Sequence, residues 1–519
     1  MAELERAEDQ VLGKSDEKEA FMRVETTILE PIVCTQSFVR FQLAPKGVLS
    51  RDSMIQLRYH CNSSAADGQL FHPINVGISA AIRTATLKIG GVIVSKLENV
   101  PFYHAMTKAY NSPAYRSGID NHLHGINNVI TQNSCPTTEA GTFGLKDVLP
   151  VSPTEGQLPY TMMIRERGNG GPTHGIFLKD LFSILNDVEI PLFLLGNAGD
   201  IYIELELNQQ TNTQTGTDVG NIGGDSAKDG LGVIADCIAK SGVRQDIDTS
   251  VSLDIDSVKM FVDRLYFNED IMAEKAEALN SSKGRMIQYV DVVHTTAALK
   301  QSEQATAPAV NTIQAKQLTN QIAVSGMDLQ NIKWCYTVAK KETMTPTGPV
   351  KQKPLYSSDF VGRYKMWACP KSDSYNIRIN DMMFYNTEVS NTAFKCSELE
   401  SIYATPVALS TALYSQDAET EKTGAYNVKT HLFPDTTSYL LAGGLELRQL
   451  SGSHHFSGCN VSVAYGNALD DSTHIASKPV EVQHTFYRNK DTNYDVTFLY
   501  FAEVIRKLAM KDGRVEVFT

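Results

Sequence analysis

The chain has 519 residues, which at roughly 100 to 200 residues per domain predicts two or more packed units. Its 47 basic and 59 acidic residues give a formal net charge of −12, which argues against a protein whose main task is to hold nucleic-acid phosphates. Hydrophobic residues make up 42% and charged residues 20%, so the composition excludes wholesale disorder and predicts a globular protein.

The N-terminal 20 residues contain seven acidic and three basic residues and no apolar run. They cannot form a signal peptide, so we expect a protein that is not secreted by that route. We interpret residues 1–24 as an acidic arm. The apolar stretches of the chain are far shorter than the about 18 to 20 residues that a bilayer crossing requires, and we expect no membrane span.

Runs of alternating or β-branched residues dominate the chain and predict strands. Residues 201–208 place aliphatic side chains on one face only, as a half-buried strand does. Residues 86–89 and 92–95 flank Gly90 and Gly91, a pair that predicts a tight hairpin. Further predicted strands are 36–43, 56–60, 251–256, 286–293, 331–338, 376–379, 437–447, 461–465 and 496–501.

Three short helices are predicted among these strands. Asn268 is a suitable N-cap for a helix over 269–279. An apolar stripe over 177–185 predicts a buried helix that ends before a strand-like segment, 189–195, and residues 102–110 form a third candidate.

A polar, glycine-rich stretch between residues 207 and 251 is too long for an ordinary turn and falls near the middle of the chain. We place a domain boundary near residue 245. The expected fold class is all-β, with two tandem jelly-roll β-sandwiches over 25–245 and 246–519 and a few short helices in loops.

Few residues suggest chemistry. His122 and His124 have the spacing of two metal ligands on one strand face, but Asn128 and Val129 stand where a cupin enzyme has its glutamate, so a polar loop is the alternative. His454 and His455 are adjacent, and on a strand they would point to opposite faces. We therefore predict no metal, no cofactor and no enzyme activity.

Acidic residues and cysteines are two further candidates for a chemical role. Asp263, Glu446 and Asp495 could pair across a cleft as general acid and base, although solvated strand faces are the simpler interpretation. The eight cysteines lie far apart with no C-x-x-C pair, which favours buried thiols in a reducing compartment over zinc or disulfide chemistry. No catalytic, cofactor-binding or metal-binding residue is therefore assigned.

Several segments together resemble a known family. Residues 87–91 (LKIGG) are similar to a strand that ends in I-G-G, and 190–195 with 201–207 resemble an "LPL" strand and a closing strand. Residues 262–268 (VDRLYFN) resemble the segment V-D-Y-I-Y-L-D before a short charged helix. Matches later in the chain are residues 331–334 (NIKW), 377–384, 439–457 and 500–519.

The family with these segments is that of the double jelly-roll major capsid proteins of large DNA viruses, virophages and polinton-like elements. The chain departs from its pattern at Asp381, which replaces a glycine, and at Leu450 and His455, which replace a proline and an asparagine. The resemblance implies two jelly rolls standing side by side in each subunit.

The same resemblance implies a structural role in a virion. Three subunits would form a homotrimer, a pseudo-hexagonal capsomer that contacts neighbouring capsomers, penton and minor capsid proteins and that tiles an icosahedral shell. Assembly would take place in the host cytoplasm or nucleus, possibly over an internal membrane, without sequence-specific binding of nucleic acid.

Two alternatives come from other classes of protein. A carbohydrate-binding β-sandwich would need exposed aromatic platforms, yet the two tryptophans, Trp334 and Trp367, lie in strand-like core contexts. A cupin-type metalloenzyme would need His122 and His124 as ligands. A trimer in solution favours the capsid protein, and bound metal favours the enzyme.

Overall fold

The structure is a computed structural model of the whole chain. The structure describes residues 23–61, 69–71, 76–108, 170–187, 189–196, 198–208, 236–238, 251–267, 285–299, 314–341, 352–354, 373–390, 425–427, 440–442, 456–462, 471–488, 494–511 and 514–518, with 111, 115, 119–120, 123–125, 273, 394, 397–398 and 401–402.

Two β-sandwiches follow one another along the chain. The strands up to residue 266 are β1 Arg23–Leu29, β2 Val33–Cys34, β3 Phe38–Leu43, β4 Val48–Leu49, β5 Met54–Cys61, β6 Gln69–Phe71, β7 Ile82–Ile89, β8 Val92–Glu98, β9 Gly170–Phe177, β10 Ile201–Leu207, β11 Asp236–Ile238, β12 Val251–Leu253 and β13 Lys259–Tyr266.

The remaining strands begin at residue 285. They are β14 Arg285–Leu299, β15 Gln314–Ile322, β16 Asp328–Lys341, β17 Gln352–Pro354, β18 Asp373–Ile379, β19 Met382–Met383, β20 Ala425–Asn427, β21 Leu440–Ala442, β22 Phe456–Asn460, β23 Thr473–His474, β24 Val480–Arg488, β25 Tyr494–Lys511 and β26 Arg514–Phe518. The helices are α1 Val100–Lys108, α2 Leu178–Leu181 and α3 Ile184–Asp187, with 3₁₀ turns at Gly77–Ala81, Leu192–Leu195 and Ile255–Ser257.

The two sandwiches have the same strand order. Sheet A of the first sandwich runs β1-β13-β5-β12, with β9 beside β5, and sheet F of the second runs β14-β25-β16-β17, with β22 beside β16. Sheet B runs β2-β3-β10-β7-β8, and its counterpart, sheet G, runs β15-β24-β18-β19. In each sandwich the first strand pairs with the last long strand, which is the antiparallel jelly-roll arrangement. The expected fold class is confirmed.

Each sandwich encloses its own apolar core because side chains alternate between the two faces of a strand. In the first, Phe41 of sheet B and Leu57 of sheet A are fully buried in one cluster. In the second, Trp334 of sheet F packs edge-on to Tyr375 of sheet G at 4.7 Å between ring centroids. Each fully buried side chain of this size contributes about 1.5–3 kcal/mol through removal of apolar surface from water.

The predicted hairpin is present between β7 and β8. Gly90 and Gly91 have φ angles of 57° and 84°, which a two-residue turn of this hand requires and which glycine adopts without a steric penalty. At the turn between β18 and β19, Asn380 and Asp381 have φ angles of 48° and 67°. Asp381 therefore forms the turn in place of the expected glycine.

Two expectations about local structure are wrong. Residues 189–195 do not form a strand: Leu192–Leu195 is a 3₁₀ turn, and Ile190 makes only an isolated bridge to Leu49. Residues 201–207 are not the closing strand of the first jelly roll, since β10 lies inside sheet B. Of the strand expected at 461–465, residues 461 and 462 follow the end of the strand Phe456–Asn460, and 463–465 lie outside the described residues. The predicted helix over 269–279 lies outside the described residues, apart from Ala273.

The strand pairing also differs from the division expected at residue 245. β12 pairs with β5, and β13 pairs with β1, β4 and β5. Residues 251–266 are therefore hydrogen-bonded to the first sandwich. We propose that the division between the sandwiches lies between residues 266 and 285. The arm expected over residues 1–24 would then end at residue 22, because Arg23 and Val24 belong to β1.

Candidate functional site

The junction between the two sandwiches is a buried region that contains several polar side chains. It forms where the edge strand β8 of the first sandwich lies against β14 and β26 of the second, with α3 beside β14. The core of the first sandwich continues into it, because Ile287 and Leu508 of the second belong to the same buried cluster. The core of the first sandwich therefore extends onto the outer side of sheet F, while the core of the second sandwich is a separate cluster on the other side of that sheet.

Strand β25 is buried on both of its faces. Residues 498–505 are all buried. Tyr500 and Ala502 belong to the second core, whereas Leu499 and Phe501 pack into the cluster of the first sandwich. A strand with two buried faces reads as a nearly continuous apolar run, as this segment does.

Four hydrogen bonds hold β8 and the adjacent helices to β14. The Tyr289 hydroxyl donates to the Val94 carbonyl at 2.5 Å, and the Ser95 hydroxyl donates to Asp291 at 3.0 Å. The Val290 amide donates to Asp187 at 3.1 Å, and the Asn99 amide lies 2.7 Å from His294 Nε2. These bonds fix β14 along its length against β8, which sets the relative position of the sandwiches.

The tautomer of His294 follows from its partners. Its Nδ1 lies 3.0 Å from the Tyr500 carbonyl, which only accepts, so Nδ1 carries the proton and Nε2 accepts from Asn99. Burial lowers the pKa of His294, which keeps the ring neutral.

A carboxylate network centres on Glu503 in β25. Asn331 donates to it at 2.6 Å, the Tyr103 hydroxyl of α1 donates at 2.8 Å, and Lys333 forms an ion pair with it. Burial raises the pKa of Glu503, but Lys333 and the hydrogen bonds outweigh burial, so the pKa lies below its usual value. Glu503 is thus an anion that joins α1 of one sandwich to sheet F of the other.

The pKa values of two further carboxyl groups at the junction are raised, in contrast to that of Glu503. Burial raises the pKa of Asp187 to about 6, and Glu503 adds to this, against the Val290 hydrogen bond. Burial also raises the pKa of Asp291, although Arg506 lies 2.7 Å away and opposes the rise. Ionised Asp187 therefore weakens the junction at neutral pH.

A cavity of about 20 Å³ lies at the same place, which is room for one water molecule. Polar groups of both sandwiches line it, among them Ser95, Tyr103, Asn186 and Asp291. The junction is consequently well packed and keeps its polar groups within reach of one another.

The region around the predicted His122–His124 pair is an ion cluster. His122 lies outside the described residues, and His124 is fully buried in a bend rather than on a strand. Its Nδ1 lies 2.9 Å from Asp120 and its Nε2 lies 3.2 Å from Asp180. Lys108 binds the same two carboxylates at 3.6 Å and 3.0 Å. The positive charge beside these two carboxylates is therefore the ammonium group of Lys108.

The same cluster perturbs two pKa values. Burial raises the pKa of Asp180, but the charges of Lys108 and His124 outweigh the effect of burial and lower this pKa to about 2. Burial lowers the pKa of His104 to about 4, and Lys108 acts in the same direction. Neutral His104 donates from Nε2 to the Asp180 carbonyl at 2.6 Å and accepts from the Ser79 hydroxyl at 2.7 Å. The cluster joins α1 to α2.

Of the other residues considered for chemistry, the structure describes the side chain of Asp263. Asp263 lies on the outer side of β13 and accepts from Thr26 at 2.6 Å. Glu446, His454, His455 and Trp367 lie outside the described residues, as does the side chain of Asp495. Within the described part of the chain, no group of three or more His, Cys, Asp or Glu side chains could hold a metal ion.

Three other predictions concern burial and membranes. Trp334 is fully buried, as its strand context predicted. Cys335 and Cys459 are buried free thiols, in agreement with the prediction, whereas the free thiol Cys34 is only half-buried. No helix in the described ranges is long and apolar enough to cross a membrane.

The sequence reasoning missed the junction residues. Glu503 stands alone among the apolar residues of 498–505, and Lys333 stands between Ile332 and Trp334. A single charge inside a buried strand needs a partner of opposite sign, so this pattern could have indicated the pair. The pairing itself spans 170 residues, which no local pattern reports.

The described fold and its buried junction define a double jelly-roll protein. No protein-family profile matches the chain, and no curated protein matches it. Among solved structures, a chain of the Sputnik virophage cryo-EM structure is similar with a TM-score of 0.50 and 13% identity, over 96% of this chain and 88% of that one. This likeness supports the same fold over nearly the whole chain.

Two further solved structures are similar at lower scores. The capsid of virus PBCV-1 gives a TM-score of 0.49 with 10% identity over 97% of this chain and 98% of that one. The Faustovirus major capsid protein gives 0.47 with 9% identity over 96% and 92%.

Proposed function

We propose that the chain is a viral major capsid protein with a structural, non-enzymatic role. The observation that carries the proposal is the junction, where the core of the first jelly roll packs against sheet F of the second and the Glu503 network joins the two. A shell subunit must keep its shape under lateral load, and a closely packed junction between the two jelly rolls provides rigidity because packed interiors have low compressibility. The fold shared with the Sputnik virophage chain and the segment resemblance support the same assignment.

The proposed assembly is a homotrimer with a pseudo-hexagonal outline. Three copies of a two-sandwich body place six similar sandwiches around a three-fold axis, so one gene product can tile a curved lattice. Such an obligate contact buries more than about 2,000 Å². The partners proposed beyond the trimer are neighbouring capsomers, penton and minor capsid proteins, and the proposed location is the virion.

Light scattering on the purified full chain tests this proposal. The expected mass is about three times the 57.2 kDa of the chain. Electron microscopy should show hexagonal particles. A stable monomer at micromolar concentration overturns the proposal and returns the choice to a carbohydrate-binding sandwich, which a glycan array would then examine.

A further inference from the structure

Asn331, Lys333 and Glu503 form a compact group on the junction side of sheet F. Ile332 and Trp334 belong to the second core, so the alternate residues of β16 project to the opposite face of the sheet. Glu503 of β25 lies directly opposite Asn331 in the register. We call Asn331, Lys333 and Glu503 the junction triad.

Glu503 binds the other two side chains of the junction triad through its two oxygen atoms. Its Oε2 accepts from Asn331 Nδ2 at 2.6 Å, and its Oε1 pairs with Lys333 Nζ. One carboxylate can bind both donors only if the ammonium and the amide lie side by side. An amine, an amide and a carboxylate that contacts both are the groups required to exchange the amide nitrogen for the amine.

The junction triad is enclosed by protein. Asn331 is fully buried, and Lys333 and Glu503 are 3% and 9% exposed. Lys333 Nζ lies 5.5 Å from the centre of the Tyr103 ring, and this ring packs at 5.5 Å against that of Phe501. The resting state is an ion pair. Because burial penalises both ions, transfer of one proton from Lys333 to Glu503 gives two uncharged groups and leaves a lone pair on Nζ.

Asn331 has a polar atom that the ion pair leaves unsatisfied. Its Oδ1 is buried and has no hydrogen-bond partner among the described residues. A buried acceptor without a donor lowers stability. A protonated Glu503 would be a donor beside this atom. A neutral Glu503 therefore satisfies the triad better than the ion pair does.

We propose that Lys333 and Asn331 condense to a side-chain amide in the folded chain, with Glu503 as the catalytic proton carrier. Nζ of the neutral amine attacks Cγ of Asn331 and forms a C–N bond. Glu503 gives the proton that it took from the ammonium to Nδ2, and the Cγ–Nδ2 bond breaks to release ammonia. Glu503 then accepts one of the two protons on the attacking nitrogen. The step needs no oxidant and no second reactant.

The product removes both charges of the ion pair. Lys333 becomes part of an uncharged amide, and Glu503 ends as a neutral carboxyl that can donate to Oδ1 of that amide. The desolvation cost of a buried ion pair is thereby removed. The new bond closes a loop of only two residues along β16, so it restrains the unfolded chain little. The reaction therefore changes the charge of the junction rather than its connectivity.

A second cluster of the same residue types lacks this geometry. Asp120 accepts from Asn111 at 2.8 Å, but Lys108 Nζ lies 3.6 Å from Asp120 and donates instead to Asp180 at 3.0 Å. Asp120 therefore does not bridge the ammonium to the amide by hydrogen bonds. We expect no condensation at Lys108, which is a comparison site within the same chain.

Mass spectrometry of the full chain, incubated in its folded state for several days and then digested, tests the proposal. Trypsin cleaves after Lys333 only while its side chain is an unmodified amine. The expected product is an uncleaved peptide of residues 317–340 that is lighter than its sequence by one ammonia. The bond after Lys108 should still be cleaved, and wild-type chain incubated in denaturant should show no loss.

Three variants assign the parts of the reaction. Asn331→Ala removes the electrophile and Glu503→Gln removes the proton carrier, so both should abolish the loss of ammonia. Gln321→Ala is the matched control, because it removes another side-chain amide from the same peptide and should leave the loss unchanged. Circular dichroism should match the wild type in all three variants. The wild-type result decides the proposal even if one variant does not fold.

Four results would overturn the inference. An unchanged mass of the folded wild type shows that no condensation occurs. Loss of ammonia from a released peptide of residues 317–333 indicates a reaction that does not involve the Lys333 amine. Loss of water instead of ammonia indicates an amide between Lys333 and Glu503. Condensation that persists in Glu503→Gln excludes the proton carrier. None of these results bears on the capsid proposal, which the mass of the trimer tests separately.

Discussion

The two interiors on either side of β25 are built differently. Towards the second core, Phe498 and Tyr500 stack with an interplanar angle of 9°, and Trp334 lies nearby. Towards the junction, Glu503 binds Lys333, Asn331 and Tyr103. Apolar packing tolerates small shifts, but a buried charge is satisfied in only a few geometries. The second core therefore contributes mainly to stability, and the junction fixes the orientation of one sandwich relative to the other.

The largest effect is expected from the core. Trp334→Ala should lower the free energy of unfolding by about 3–5 kcal/mol, because it leaves a cavity among aromatic rings. Denaturant unfolding measures this. Trp334→Phe is the matched control and should cost clearly less, since the Trp334 indole nitrogen has no hydrogen-bond partner to lose among the described residues.

Removal of the cation from the junction comes next. Lys333→Met should lower the free energy of unfolding by about 3 kcal/mol, the lower end for a broken buried pair, because Glu503 keeps its bonds from Asn331 and Tyr103. Adding Glu503→Gln should restore most of the loss by removing the unpaired charge. If the double variant is as unstable as Lys333→Met, the network does not act through charge.

A smaller effect of opposite sign is expected at Asp187. The pKa of Asp187 is about 6 in the folded protein and 3.8 in the unfolded chain. Its contribution to the free energy of unfolding is therefore fully present below about pH 4 and is lost as the pH rises through 6. Asp187→Asn keeps the acceptor for Val290 and should stabilise the protein at pH 7.5 by about 1–2 kcal/mol.

The pH dependence provides the check on that prediction. The gain from Asp187→Asn should shrink between pH 6 and pH 4, measured as the difference from wild type at each pH. His104 destabilises the fold as the pH falls from 6.5 towards its folded pKa of about 4, but this contribution is common to both proteins and cancels. A gain that does not depend on pH would contradict the assignment.

The smallest effect is expected from a surface pair beside the junction. Lys96 and Glu98 of β8 form an ion pair in which both side chains are about two-fifths exposed. Lys96→Ala should change the free energy of unfolding by at most about 0.5 kcal/mol, because solvent screens the pair. A loss near that of Lys333→Met would mean that charges act alike inside and outside the junction.

Much of the fold could be predicted from local pattern. The hairpin at Gly90 and Gly91, the strand Ile201–Leu207 and the helix Val100–Lys108 each have a signal within a few residues. The strand order could not be predicted in this way, since β13 pairs with β1 across more than 200 residues. The boundary near residue 245 followed the glycine-rich composition of a loop, whereas the pairing depends on contacts far apart in sequence.

The site was harder to predict than the fold because its signals are single residues. His122 and His124 fit a metal spacing, yet Lys108, which is distant in sequence, supplies the positive charge beside Asp120 and Asp180. The buried pair of Lys333 and Glu503 joins two strands across 170 residues of sequence. Neither feature exists until the strands are in register.

The position of β25 also constrains how the protein is made. It pairs with β14 on one side and with β16 on the other, and Arg285 meets Met510 in this register. During translation the first sandwich can fold before β25 has been synthesised. Until then β14 and β16 lack the strand that pairs with both of them, and their apolar side chains are exposed to water. The late arrival of residues 494–511 closes the second core and the junction in one step, so nascent chains need protection from aggregation until then.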